Sequence, residues 1–239
     1  MIAPAPVIAA LALAVAVAAA GCDSLPGKPR PAGSDRLPSQ VMAFSVLYRD
    51  NCAACHGADG RLGASRPLND PLYLAVVPRS RVVQVIANGV PGTLQPAFAQ
   101  SAGGTLTDAQ VDALVDGLLE RWGGAKPLRP AELPSYAAPP GNAARGEAVY
   151  AAACAGCHGA DGKPGQNGGA ITDASYLSLV SDQYLRTTVI AGRADLGMPD
   201  WRGYTPGQPL TGRQISDVVA WLIAQRRPVQ GRPVSAKGG

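Results

Sequence analysis

The sequence contains the pattern Cys-x-x-Cys-His twice, at residues 52–56 and 154–158, and its only two histidines, His56 and His158, close these motifs. This pentapeptide is the attachment signature of c-type haem. Its two thiols bond covalently to the porphyrin, and the adjacent imidazole ligates the iron from one face. Neither iron can take a second imidazole from this sequence, so the opposite axial ligands must be of another residue type. The sequence therefore predicts two covalently attached c-type haems, bound through Cys52, Cys55, Cys154 and Cys157.

Two other uses of Cys-x-x-Cys are a structural zinc site and a redox dithiol. Zinc sites need four ligands, and each half of the sequence offers two cysteines and one histidine. A thioredoxin-like dithiol is expected within a βαβ pattern, which the sequence does not show. Haem attachment is therefore the better interpretation of both motifs.

The second half offers a conventional sixth ligand. Met198, within Gly-Met-Pro, follows His158 by 40 residues and is the only methionine of that half. A thioether opposite an imidazole raises the potential of a haem. The alternative is that Met198 only fills a gap in the core. We expect Met198 to ligate the second iron.

The first half lacks this methionine. Gln95 occupies the position that corresponds to Met198, and residues 40–122 contain no lysine. The sixth position of haem 1 is therefore predicted either to hold the amide oxygen of Gln95 or to be open or solvent-ligated. Weaker candidates are Asn88, a tyrosinate, and Met42 on the first helix. Both main possibilities favour ferric iron, and so predict a lower potential for haem 1 than for haem 2.

Five further side chains are candidates for tuning the haem pockets. Arginines at the start of the middle helices could pair with haem propionates, and aromatic residues after the methionine loop could donate N–H or O–H groups to them. Surface or core roles are the alternative for each. The candidates are Arg79, Arg81, Arg186, Trp201 and Tyr204.

The two halves form an internal repeat. Cys-His-Gly-Ala-Asp-Gly occurs at residues 55–60 and 157–162, and further matches keep an offset of 102–104 residues. Self-similarity at a fixed period indicates duplicated structural units. The predicted organisation is a signal peptide at 1–21, a Pro-rich tether at 22–39, a first domain at 40–124, a linker at 125–142, a second domain at 143–227 and a disordered tail at 228–239.

Both halves have a helical pattern, which predicts an all-α fold of two tandem domains, each with a few helices wrapped around its haem. In each half the last helix should follow a capping box, begun by Thr107 or Thr211, and present one apolar face. We expect this face to pack on the helix that precedes the haem motif. The other predicted helices span about 40–51, 143–153, 79–88 and 182–191.

The N-terminal region resembles that of a bacterial lipoprotein. An apolar run at residues 7–21 ends in Ala-Ala-Gly and is followed by Cys22, which stands where lipoproteins carry their lipid. The run is short for a membrane span. No Lys or Arg precedes it, and Ala19 stands where leucine is commoner, so an uncleaved anchor and a secreted protein are the alternatives. In all three cases the domains face the periplasm or the cell exterior.

The charge pattern argues against nucleic acid as a partner. The formal net charge is +4, and no basic stripe is present. Scattered charges of both signs are typical of a solvated surface.

Haem motifs after an N-terminal helix, a Gly-Met-Pro loop and an amphipathic last helix together resemble the class I c-type cytochromes, here in tandem over residues 40–124 and 143–227. The resemblance implies an all-α cytochrome c fold in each half, with haem edges exposed for electron exchange. Gln95 departs from the family's pattern, which leaves the axial ligation of haem 1 open.

The function that the resemblance implies is that of a membrane-tethered electron carrier. It would pass electrons from a quinol-oxidising complex or a periplasmic dehydrogenase to a terminal oxidase, a reductase or another cytochrome. Its partners would be redox proteins and, through lipid on Cys22, the membrane. The alternative is a di-haem peroxidase-like enzyme, or a small-ligand binder, that uses an open iron at haem 1. Against the peroxidase, no spare histidine is present for acid–base chemistry.

Overall fold

The computed structural model describes residues 36–63, 65–124 and 133–228. The chain divides into two units, residues 1–40 and 41–239. In the first unit the described part holds a single 3-10 turn, Pro38–Gln40. Cys22, most of the tether, the start of the linker and nearly all of the tail lie outside the described residues.

The larger unit is built from ten α-helices within its described residues. In the first half these are α1 (Phe44–Asn51), α2 (Ala53–His56), α3 (Pro71–Val76), α4 (Arg79–Asn88) and α5 (Asp108–Trp122). In the second half they are α6 (Ala143–Ala153), α7 (Ala155–His158), α8 (Ala174–Leu179), α9 (Asp182–Ala191) and α10 (Gly212–Ala224). Short 3-10 turns occupy Gln100–Ala102 and Ala194–Leu196.

The described residues contain no β-strand, and only two isolated bridges occur among them. This confirms the predicted all-α fold. The middle helices have the predicted bounds, whereas the first helix begins at Phe44 rather than near residue 40. Two short helices, α3 and α8, lie in segments that the sequence pattern assigned to loops. Asp70 and Asp173 cap them by accepting hydrogen bonds from backbone N–H groups.

The last helix of each half begins with the predicted capping box and buries the predicted apolar face. Thr107 and Thr211 each form a complete capping box with the glutamine three residues later. The apolar faces are buried in the two hydrophobic cores, and their buried members are Val111, Leu114, Val115, Leu118, Ile215, Val218, Val219 and Leu222. No described helix is both long enough and apolar enough to cross a membrane.

Aromatic contacts join each last helix to the helix before the haem motif. In the first half, the ring of Trp122 meets Tyr48 edge to face, with centroids 5.0 Å apart. In the second half, Trp221 stacks on Tyr150 at 4.1 Å. The predicted packing of the last helix on the motif helix is therefore confirmed in both halves.

The two halves meet through α3 and α9. Val76 at the end of α3 belongs to the core of the second half. Tyr136 of the linker is partly buried against both cores. Arg186 of α9 is buried and donates hydrogen bonds to the carbonyls of Ser135 and Tyr136, which fastens the linker to the second half.

Candidate functional site

Each Cys-x-x-Cys-His motif lies on a helical turn that ends in a glycine. Gly57 and Gly159 follow the histidines with backbone φ angles of 82° and 78°. Residues other than glycine rarely adopt this backbone conformation. A buried tyrosine from the preceding helix fixes this point. Tyr48 Oη donates to Gly57 O at 2.8 Å, and Tyr150 Oη donates to Gly159 O at 2.6 Å. The tyrosine four residues before the first cysteine thus anchors the residue after the histidine.

The two histidine rings are oriented in the same way. His56 Nδ1 lies 2.8 Å from Arg66 O, and His158 Nδ1 lies 2.9 Å from Gly169 O. With Nδ1 donating its hydrogen to the carbonyl, Nε2 carries the free lone pair. That is the tautomer a metal-ligating histidine needs, and a second hydrogen bond of this kind commonly fixes the ring. The donor set therefore fits a haem iron in both halves.

The cysteines of each motif differ in exposure. Cys52 and Cys154 are partly buried, and burial raises the pKa of each thiol to about 11. Cys55 and Cys157 are exposed, and none of the four forms a disulfide. A raised pKa opposes a role as a reactive thiolate. Within the described ranges no group of three or more His, Cys, Asp or Glu side chains is placed to hold a metal ion.

Gln95 lies against His56. Its side chain hydrogen-bonds the His56 ring. The ring also hydrogen-bonds Arg66 O through Nδ1. Burial lowers the pKa of His56, with these two hydrogen bonds opposing the shift, so the ring is held neutral. The structure thus brings Gln95 next to the His56 ring, and its ligation of the iron stays a prediction.

The other candidates for the sixth position of haem 1 are less well placed. Met42 precedes α1 and its side chain is 45 % exposed, and Asn88 is exposed at the end of α4. Burial raises the pKa of Tyr48 to about 12 and also raises that of Tyr73. These two phenols are therefore neutral at ordinary pH, which argues against a tyrosinate from either.

Met198 lies in a tight loop. It pairs with Arg193 through two backbone hydrogen bonds, and Gly197 before it has φ of 78°. Its side chain is partly exposed and lines an open cleft of about 820 Å³ that also includes Asp70 of the first half. His158 is not part of that lining. The expectation that Met198 ligates the second iron stays a prediction.

The arginines of α4 have protein partners on the surface. Arg79 donates to Asp116 at 2.8 Å and to Asp112 at 2.9 Å, both on α5. Arg81 donates to Gln84 one turn along its own helix. The guanidinium of Arg79 is therefore turned toward α5, and a propionate contact from either arginine stays a prediction.

The second-half candidates are also engaged by protein groups. The Arg186 guanidinium donates hydrogen bonds to the linker carbonyls and to Ser216 Oγ, which gives it a structural role, and its propionate contact stays a prediction. Tyr204 Oη donates to Val189 O at 3.0 Å. Trp201 is buried in the second core, with Arg202 over its ring at 4.7 Å. Core packing accounts for both aromatic residues.

Two groups of residues escaped the sequence reasoning. Asp217, buried within the apolar face of α10, accepts hydrogen bonds from Asn142 N and from the Arg145 guanidinium. Arg66 is buried in the first half, at the position that corresponds to Gly169. The repeat offers a signal for both, because Asp217 corresponds to Ala113 and Arg66 to a glycine, so each departs from the residue type of the other half.

Comparison with known proteins identifies what this arrangement is similar to. The family model described as "Cytochrome C oxidase, cbb3-type, subunit III" matches residues 39–116 and 141–222. Both matched segments include a haem motif.

Several curated proteins are similar in sequence. "Cbb3-type cytochrome c oxidase subunit CcoP" of Azospirillum sp. (strain B510) is 31% identical over 185 residues, which cover 70% of this chain and 57% of that protein. "Cbb3-type cytochrome c oxidase subunit FixP" of Azorhizobium caulinodans is 30% identical over 162 residues, which cover 65% of this chain and 51% of that protein. "Dihydro-heme d1 dehydrogenase" of Pseudomonas aeruginosa is 46% identical over 70 residues, which cover 29% of this chain and 13% of that protein. The chain spans about half the length of the two oxidase subunits.

Proposed function

Because the chain belongs to the cytochrome c oxidase, cbb3-type, subunit III family and is a tandem di-haem c-type cytochrome, we propose that it is an electron carrier or electron-transfer subunit with no substrate chemistry of its own. The observation that carries the proposal is the repeated histidine geometry. In both halves Nδ1 is tied to a loop carbonyl and Nε2 is left to bind iron. A haem iron supplies a one-electron change of oxidation state at each site.

The residues of this chain hold and orient the two haems. Covalent bonds to Cys52, Cys55, Cys154 and Cys157 would fix each porphyrin. The tyrosine and carbonyl contacts to the motif keep each imidazole at one angle, so little reorganisation accompanies a change in oxidation state. A haem edge near the surface would let a redox partner approach each site.

The two sites would differ in potential. Met198 opposite His158 would raise the potential of haem 2. Gln95 opposite His56 offers a neutral amide oxygen, a harder ligand that favours ferric iron. Gln95 lies beside the His56 ring, which keeps it near enough to serve as the sixth ligand of haem 1. An occupied sixth position would favour electron transfer over a peroxidase-like or ligand-binding role.

The partners would be redox proteins. The names of the two oxidase relatives favour a terminal oxidase of the cbb3 type as acceptor. A quinol-oxidising complex or a periplasmic dehydrogenase would be the donor. The chain would face the periplasm or the cell exterior, because c-type haem is attached outside the cytoplasm.

A membrane tether through Cys22 is part of the proposal. The apolar run at 7–21 followed by Ala-Ala-Gly-Cys supports it. Stable anchoring needs more than one acyl chain, which a lipoprotein cysteine carries. In cells fed a labelled fatty acid, the protein should become labelled, and Cys22→Ser should abolish the label and release the protein from membranes. Label retained in the variant would contradict a lipid at this residue.

Haem content and redox behaviour test the proposed function. The purified protein should carry two haems that stay attached after denaturation, and each should be reduced and reoxidised reversibly by one electron. The double variant Cys52→Ser, Cys55→Ser should keep one covalent haem. Rapid turnover of hydrogen peroxide with an electron donor, or a wild-type chain with fewer than two haems, would contradict the proposal.

A further inference from the structure

Arg66 links the haem motif of the first half to the second half. Its carbonyl oxygen accepts the hydrogen bond from His56 Nδ1. Its side chain, only 7 % exposed, crosses to α9, where Nη2 donates to Thr188 Oγ1 at 2.6 Å. The corresponding residue of the other half is Gly169, so the duplicated fold does not need an arginine at this position to hold its histidine.

Two aromatic rings hold the guanidinium of Arg66 between the halves. Its central carbon lies 4.6 Å from the ring centre of Tyr73 and 5.4 Å from that of Tyr184. Such stacking stabilises a desolvated cation through the ring faces. It does not satisfy the N–H groups in the plane of the guanidinium.

The buried cation lacks acceptors. Nε and Nη1 of Arg66 are buried and have no hydrogen-bond partner among the described residues. A buried charged donor without an acceptor is unfavourable, because its lost hydration is not replaced. The nearby carboxylate of Asp195 is taken by Arg193, which donates to both of its oxygens. Arg66 therefore presents a cationic site that a carboxylate from outside the polypeptide would complete.

The contacts of the Arg66 guanidinium point to the second haem. Thr188, which accepts its hydrogen bond, and Tyr184, whose ring it faces, both lie on α9 of the second half. Leu185 and Val189 of the same helix pack in one core with Cys154, an attachment cysteine of haem 2.

We propose that Arg66 binds a propionate carboxylate of haem 2, across the contact between the halves. Carboxylates accept charge-assisted hydrogen bonds from arginine, and a haem propionate supplies both the missing acceptor and the missing negative charge. The inference rests on the proposed function, because it requires a haem on Cys154 and Cys157. Arg66 is then a positioning residue that orients the His56 ligand through its backbone and tunes haem 2 through its side chain.

The expected consequence is a shift in the haem 2 equilibrium. A cation beside a haem favours the ferrous state, which carries one positive charge less than the ferric state. Arg66→Gln should lower the reduction equilibrium constant of haem 2 about tenfold, which is about 59 mV for one electron. Arg66→Lys keeps a charge without the planar fork and should give a smaller shift in the same direction.

The experiment is a potentiometric titration of the full di-haem protein. Arg61→Gln is the matched control, because Arg61 lies on the same loop, carries the same charge and is exposed. Its guanidinium donates hydrogen bonds to the backbone and side-chain oxygens of Asn69. The haem 2 couple is followed through the charge-transfer band of a methionine-ligated ferric haem. Circular dichroism and covalent haem content confirm that each variant is folded and loaded.

The proposal predicts that the haem 2 potential falls in Arg66→Gln, falls less in Arg66→Lys, and is unchanged in Arg61→Gln. If Arg66→Gln does not accumulate, the comparison of Arg66→Lys with Arg61→Gln decides. An unchanged haem 2 potential in the Arg66 variants, or a shift confined to haem 1, would overturn the inference. A wild-type protein without a haem on the second motif would instead contradict the proposed function.

Discussion

Replacing Gly146 by alanine tests the packing that holds the second haem motif. Gly146 lies within α6. In a helix interior, alanine is more favourable than glycine by about 0.5–1 kcal/mol of folding free energy. An added Cβ would lie 2.0 Å from Asp217 O and 2.6 Å from its carbonyl carbon, both backbone atoms of α10. Neither atom can rotate away, so the two helices must separate by more than about 1 Å to restore ordinary contact.

Separating α6 from α10 costs more folding free energy than the helix gains from having alanine in place of glycine. A gap of 0.5–1 Å forfeits about a quarter to a half of each dispersion contact. The contacts between α6 and α10 include the Tyr150–Trp221 stack. Overpacking of a core costs about 1–3 kcal/mol, and a backbone clash belongs at the upper end. Gly146→Ala should therefore destabilise the second half by about 2 kcal/mol after the propensity gain.

The assay is equilibrium denaturation of the di-haem protein, followed by the far-ultraviolet helix signal and the Soret band. Gly156→Ala is the matched control, because Gly156 also lies in a helix but has no atom within 4 Å of its added Cβ. It turns Cys-Ala-Gly-Cys-His into the Cys-Ala-Ala-Cys-His of the first half. The control should be neutral or slightly more stable. Equal or greater stability of Gly146→Ala would refute the packing argument.

Three further substitutions probe the supports around the haem sites. Tyr150→Phe removes the hydrogen bond to the motif glycine and should reduce the unfolding free energy by about 1 kcal/mol in denaturant titrations; no change would dismiss the anchoring role. The pKa of Asp217 is lowered, first by its hydrogen bond with Arg145, so its contribution is present above the unfolded pKa of about 3.9 and is lost as pH falls through the folded value. Asp217→Asn should therefore be less stable than wild type at pH 7, with a difference that shrinks below about pH 4; a difference independent of pH would contradict this. Arg186→Gln leaves the linker carbonyl of Ser135 without its donor and should speed proteolytic cleavage of the linker; an unchanged cleavage rate would show that the linker is held by other contacts.

The parts of the fold that follow local rules could be predicted from the sequence. The capping boxes at Thr107 and Thr211 and the apolar faces after them depend on spacing within one helix. Helices α3 and α8 could not be recognised because each has only six residues. A helix of that length is too short to show the repeating pattern of apolar residues by which longer helices are recognised. Their aspartate caps were the remaining signal.

The site was predictable where chemistry dictates residue type and spacing. The haem motifs, and Gln95 as the counterpart of Met198, follow from the sequence repeat. The roles of Arg66 and Arg186 did not follow, because each acts on a segment distant in sequence, Thr188 and Ser135 respectively. Arginines near a haem motif suggest propionate contacts, but only tertiary structure decides which arginine is turned toward α5, which holds the linker and which is left with unpaired donors.

We expect the duplication to have produced two haems of unequal potential. A potentiometric titration of the wild type beside Gln95→Met, followed by optical spectra, tests it most directly. We expect two separate one-electron couples in the wild type. Gln95→Met should raise the potential of the lower couple and leave that of the upper couple unchanged. A wild type whose two haems titrate at one potential, or a variant in which neither couple moves, would contradict it.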